Sequence, residues 1–150
     1  MEKHSFQLSL DWKGPRTGVG QLETKTLKTQ VSVPSELKGP GIGTNPEEML
    51  LAAAATCYTA TLAAMLGFNK IEQVALTVKS EAIVAVAQSG ALTYEKIIHR
   101  PHIVLAAGTI ERTLSLVERI AKKAETACMI SKALAGNVEL ELDIKITLAE

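Results

Sequence analysis

Apolar and polar residues alternate at both ends of the chain. Phe6, Leu8, Leu10 and Trp12 alternate with Gln7, Ser9 and Asp11, which predicts a half-buried strand. Gly14-Pro15-Arg16-Thr17-Gly18 interrupts the pattern as a turn. Less regular strands are expected over 19–26 and 29–34, the second with Val31 and Val33 on one face. Alternation returns at Val74, Leu76 and Val78, again over 83–87, and over 92–98 after a Gln88-Ser89-Gly90 turn. His99-Arg100-Pro101 reads as a break or bulge before a short strand at 103–105. The last strand is the most regular. Val138, Leu140, Leu142, Ile144, Ile146 and Leu148 face one way, and Glu139, Glu141, Asp143, Lys145 and Thr147 the other.

Two longer segments have a helical period. The first begins at about Asn45, with Pro46 suited to an opening turn, and runs to about Leu66 before Gly67. Thr44 with Glu47, or Asn45 with Glu48, offers a capping arrangement. The second covers 110–134, where Leu114, Val117, Ala121, Ala124, Cys128, Ser131 and Leu134 recur at three- and four-residue steps. Cys128 therefore belongs to the packed stripe of that helix. Gly136-Asn137 ends it. Strands grouped before and after long helices imply an α+β fold. With no linker and no repeat, residues 1–150 read as a single domain.

Composition narrows the function classes. Hydrophobic residues are 47% of the chain and aromatics only 3%, so Ala, Leu, Ile and Val must fill the core. Lys plus Arg and Asp plus Glu are 16 each, a balance that argues against a nucleic-acid partner. The opening residues lack the apolar run of a signal peptide. The stretch 49–66 has the length of a membrane span, but Thr56, Thr59, Thr61 and seven alanines interrupt it behind Glu47-Glu48. A buried helix fits it better, and the expected location is cytoplasmic, with no membrane partner. In such a reducing compartment two cysteines are expected to be reactive rather than structurally paired.

Those cysteines are 71 residues apart, which excludes a CxxC motif and a compact four-cysteine metal site. Cys57 lies about three turns into its helix, beyond the reach of the helix dipole. A thiolate there requires a cation from elsewhere. Arg16, on its glycine-flanked turn, is the candidate, with Glu47 to aim the guanidinium. Glu47 and Cys57 are about 15 Å apart along one helix. An arginine joining them within one chain would be stretched, so the site assembles more easily in a homodimer with composite active sites. Two small, buried, inert thiols are the competing reading.

Two motifs, GTNPEEMLLAAAATCYTATL (43–62) and AETACMISKAL (124–134), resemble those of the OsmC/Ohr family, with GPRTG (14–18) as a weaker third match. The HRPHI and WKGPRTG segments look most like an OsmC-like branch classed with peroxiredoxins. The resemblance implies two long central helices packed against strongly curved, mainly antiparallel sheets in an intertwined dimer. It further implies a thiol-dependent peroxidase that reduces organic hydroperoxides, with Cys57 as peroxidatic cysteine and Cys128 as resolving cysteine. Glu47 would orient the active-site arginine, placed at Arg16 in Ohr-type members. An external dithiol would restore the thiols, with no cofactor and no metal. The family usually has Pro directly after its second cysteine; this chain has Met129, which leaves a backbone donor to satisfy.

Other classes fit less well. His99 and His102 differ by an odd number on a probable strand and so face opposite ways, which disfavours a metal site. No serine–histidine–acid arrangement is visible. A nonenzymatic dimeric module that binds an apolar ligand or partner protein through a helix face is the alternative.

Overall fold

The structure, a computed structural model, describes all 150 residues. The chain forms two compact units, Met1–Leu50 and Leu51–Glu150.

The N-terminal unit is a three-stranded antiparallel sheet of β1 (Ser9–Lys13), β2 (Val19–Glu23) and β3 (Lys28–Val31), in that order. The alternating start is not half-buried as its pattern predicts. All of β1 is exposed, and Phe6 and Leu8 precede it as exposed residues. A 3-10 turn at Ser35–Leu37 leads into a glycine-rich loop, KGPGIGT, over 38–44. That loop lies close to other backbone: Thr44 donates to Gln30 O (3.0 Å), and Ser32 Oγ both donates to Ile42 O and accepts from Ile42 N–H, each at 2.8 Å. A Cβ on Gly43 would collide with Gln30 O, and its φ of +69° is in the left-handed region. Only glycine fits there.

Helix α1 (Pro46–Phe68) starts as its sequence proposes. Asn45 Oδ1 accepts the Glu48 N–H at 2.8 Å, and Thr44 Oγ1 donates to Glu48 Oε2 at 3.0 Å. Its end differs. Gly67 stays helical, and the stop falls at Asn69-Lys70, where Asn69 Nδ2 donates to Met65 O (2.8 Å) and Lys70 takes φ +56°.

In the C-terminal unit, β4 (Gln73–Val86) and β5 (Leu92–Leu105) form a long antiparallel hairpin. Helices α2 (Glu111–Ala127) and α3 (Met129–Leu134) follow, then β6 (Glu139–Leu142) and β7 (Lys145–Leu148). Both final strands pair with β5 in parallel, β6 with 96–99 and β7 with 102–105. Tyr58, Leu62 and Leu66 of α1 pack on Ile103 and Leu105 of β5 and on Val117, Ile120, Ala121 and Ala124 of α2. Burial of each large aliphatic side chain contributes roughly 1.5–3 kcal/mol. The alanines of α2 let the helices approach, and the Tyr58 hydroxyl donates to Ala121 O at 2.9 Å. A second cluster gathers Ala54, Ile97 and Val138 with Leu51, Ile130 and Leu134. By length and hydropathy α1 could cross a membrane, yet Ala54, Tyr58, Leu62 and Leu66 are buried against protein.

The α+β class holds, but three expectations change. The sheets are not strongly curved. Strand pairing stays mainly antiparallel as expected, β5 being antiparallel to β4 and parallel only to the short β6 and β7. The fold described is that of a single chain, in which each strand finds a ladder partner, and the intertwined dimer is not part of it. The second long helix, expected unbroken over 110–134, is two helices divided at Cys128, whose ψ of 127° takes the backbone out of the helix.

Candidate redox site

The break at Cys128 shapes the site. Cys128 closes α2, donating its N–H to Ala124 O at 3.0 Å, and opens α3, accepting from Lys132 N–H at 3.0 Å. Its side chain is fully buried, on the stripe with Ala121 and Ala124 that the sequence spacing predicts. Cys57 is partly exposed, on α1 one residue before the buried Tyr58. Both thiols are free.

The structure brings these cysteines together. Burial pushes the Cys57 thiol up, but hydrogen bonds from the Cys128 side chain, the Ile130 and Met129 N–H groups and the Thr61 side chain outweigh it, and the net shift is downward. Each of these donors favours the thiolate over the thiol. All of them belong to the C-terminal unit. Sequence reasoning demanded a cation for Cys57 and overlooked these uncharged donors. Thr61 was legible in principle, since it stands four residues after Cys57 on one helix face. The Met129 and Ile130 donors become available only because the helix breaks at Cys128.

Arg16 lies in the hairpin turn between β1 and β2, which Gly18 N–H and Trp12 Nε1–H close by donating to Pro15 O, each at 2.9 Å. Its guanidinium donates to Leu37 O at 2.9 Å. Glu47 occupies the first turn of α1.

Against Tyr58 lies a polar pair, a fully buried His99 and a half-buried Ser80, that the sequence did not announce. The His99 ring stacks on Tyr58 with centroids 5.1 Å apart and 7° between planes. Its Nδ1 meets Ser80 Oγ at 2.6 Å, its directly opposed neighbour across the β4–β5 ladder. His99 is fully buried, and burial lowers its pKa. It is a mid-strand core residue. His102 points elsewhere, with Nε2 at 2.7 Å from Thr147 Oγ1.

The site thus sets a partly exposed thiol, biased toward its anion, beside a second, buried thiol. The family model described as OsmC-like protein matches residues 39–143, which contain both cysteines. The chain belongs to the OsmC-like family. An uncharacterized protein, YmaD, from Bacillus subtilis (strain 168) is 49% identical over 148 residues, 99% of this chain and 98% of that one. The organic hydroperoxide resistance protein-like 1 of Staphylococcus saprophyticus is 27% identical, over 89% of this chain and 90% of its own. Among solved structures, an organic hydroperoxide resistance protein OsmC from Legionella pneumophila superimposes with a TM-score of 0.74 at 26% identity. That match covers 95% of this chain and 99% of that one. These OsmC-like relatives support a redox role at family level.

Proposed function

We propose that this protein is a thiol-dependent peroxidase for organic hydroperoxides. The observation that carries this reading is the hydrogen-bonded pair of an accessible, anion-biased Cys57 and a buried Cys128. Two relatives named for organic hydroperoxide resistance support the substrate class.

In this mechanism the Cys57 thiolate attacks the terminal peroxide oxygen. The O–O bond breaks, the alcohol leaves after taking a proton, and Cys57 becomes a sulfenic acid. The Cys128 sulfur then displaces hydroxide from it, water departs and an S–S bond forms. An external dithiol reverses that bond by two exchange steps and is itself oxidised to a disulfide. Arg16 and Glu47 are contributed by the other protomer of a homodimer, where Arg16, oriented by Glu47, stabilises negative charge on the attacking sulfur and on the departing oxygen. Residues 1–150 are read as a single domain that works in a reducing, cytoplasmic setting.

A homodimer with composite active sites belongs to the same reading. Ala53, Thr56, Ala60, Ala64 and Gly67 are exposed on α1 at three- and four-residue steps, opposite the buried Tyr58 and Leu62. Such a row of small residues allows a second helix to approach closely. The same row also suits a nonenzymatic module that binds an apolar partner. Turnover of cumene hydroperoxide with dithiothreitol separates the two. Cys57→Ser is expected to abolish it, and a variant that retains wild-type turnover would exclude Cys57 as the nucleophile.

A further inference from the structure

Cys57 and Tyr58 are consecutive on α1, so their side chains leave the helix about 100° apart. Tyr58 is fully buried, and its hydroxyl donates to Ala121 O at 2.9 Å, tying α1 to the main chain of α2. Ala121 lies on the same buried stripe as Ala124 and Cys128, two turns before that cysteine. The phenol ring is held in turn. It stacks on His99 of β5, with centroids 5.1 Å apart and 7° between the planes. His99 Nδ1 is itself fixed at 2.6 Å from Ser80 Oγ, at the opposed position of β4. Ala54, Leu62 and Leu66, the other buried residues of α1, contribute apolar contact alone, which is non-directional. Such contacts resist separation of the helices but not a roll of α1 about its axis. The Tyr58 hydrogen bond resists the roll.

A roll matters to the sulfurs. A turn of about 10° carries an atom about 5 Å from the helix axis through roughly 1 Å, and a disulfide closes only when its length and torsion are both met. We propose that Tyr58 is a positioning residue for the Cys57–Cys128 pair. Its hydroxyl, anchored on Ala121 O, and its ring, braced by His99 and Ser80, lock the rotation of α1 and keep Cys57 aimed at Cys128. Tyr58 acts through the helix and takes no part in the bond making. The role rests on the reading of the two cysteines as a redox pair and adds to it the device that keeps them in register.

The test is the thiol–disulfide equilibrium of the whole protein against glutathione buffers of graded potential, with the Cys57–Cys128 disulfide quantified by non-reducing peptide mapping. Tyr58→Phe keeps the ring and its stack on His99 and deletes the hydroxyl. It is expected to lower the equilibrium constant for disulfide formation roughly three- to tenfold, the contribution of one hydrogen bond. Leu66→Ala, two turns further along α1, removes packing and leaves the anchor. It is expected to lower the urea midpoint while the disulfide equilibrium keeps its wild-type value. An unchanged equilibrium in Tyr58→Phe, or an equal fall in Leu66→Ala, overturns the proposal. Should Tyr58→Phe fail to fold, hydroxyl exchange in the wild type decides. Followed by the deuterium isotope shift on labelled tyrosine, the Tyr58 hydroxyl is expected to exchange slowly in both the dithiol and the disulfide forms, and rapid exchange in either refutes the lock. A wild type that forms no Cys57–Cys128 disulfide overturns the pair and this role with it. No hydroperoxide is used, so failure of the peroxidase assignment alone leaves this readout intact.

Discussion

At Cys57 a desolvated thiol is opposed by four hydrogen-bonding groups, and the donors prevail. Thr61 is the one of these whose side chain can be replaced most simply. Thr61→Val keeps the shape and removes the hydroxyl, so the Cys57 midpoint should rise and alkylation near neutral pH should slow by roughly threefold; pH-resolved alkylation checks it. Cys128→Ala should leave Cys57 oxidisable but unresolved. Its sulfenic acid should then persist after one equivalent of hydroperoxide and be trapped by dimedone, whereas the wild type should trap little. The cysteines themselves were legible because each sits in a distinctive run of small and apolar residues. Their electrostatic partners were not, since backbone donors carry no signature in the sequence.

Among the elements, two breaks were hidden by patterns that continue across them. The apolar stripe of α2 runs on through Ser131 and Leu134, so periodicity alone extends the helix past Cys128. The last strand alternates without a flaw from Val138 to Leu148, yet it divides at Asp143-Ile144. Arg100-Pro101 lies between the parts of β5 that pair with β6 and with β7. Proline cannot donate a ladder bond, and on a two-sided strand it is tolerated where the neighbouring ladder is interrupted. The expected break at His99-Arg100-Pro101 thus appears in the partner strand, while β5 itself runs through. By contrast, the start of α1 was fully legible, because Asn45, Pro46 and Glu48 each have a local role that tertiary packing does not alter. The core at α1 is large enough to test by truncation. Leu62→Ala should cost about 2–5 kcal/mol, read as a lowered midpoint in urea unfolding.

For the molecule as a whole, His99 links stability to pH. Its folded pKa is lowered by burial, so below about pH 6.5 the unfolded chain takes up a proton that the folded one resists. Stability from this group is present above that value and is lost as pH falls toward the folded pKa. Glu125 acts in the opposite sense at lower pH, since burial raises its carboxyl despite a hydrogen bond from Ser131. Urea midpoints should therefore fall between pH 7.5 and 5.5 in the wild type and fall less in His99→Gln. A homodimer, if it completes the site, should sediment at twice the chain mass, and a bulky Ala60→Arg on the exposed row of α1 should reduce it to monomers.

All of this converges on one chemical event, the joining of two sulfurs that now share a hydrogen bond. The most direct measurement is non-reducing peptide mapping of the wild-type protein after one equivalent of cumene hydroperoxide. Both thiols should disappear together, a Cys57–Cys128 cross-link within a single chain should appear, and dithiothreitol should reverse it. Survival of both thiols under those conditions, or an oxidised Cys57 that never links to Cys128, would contradict the account.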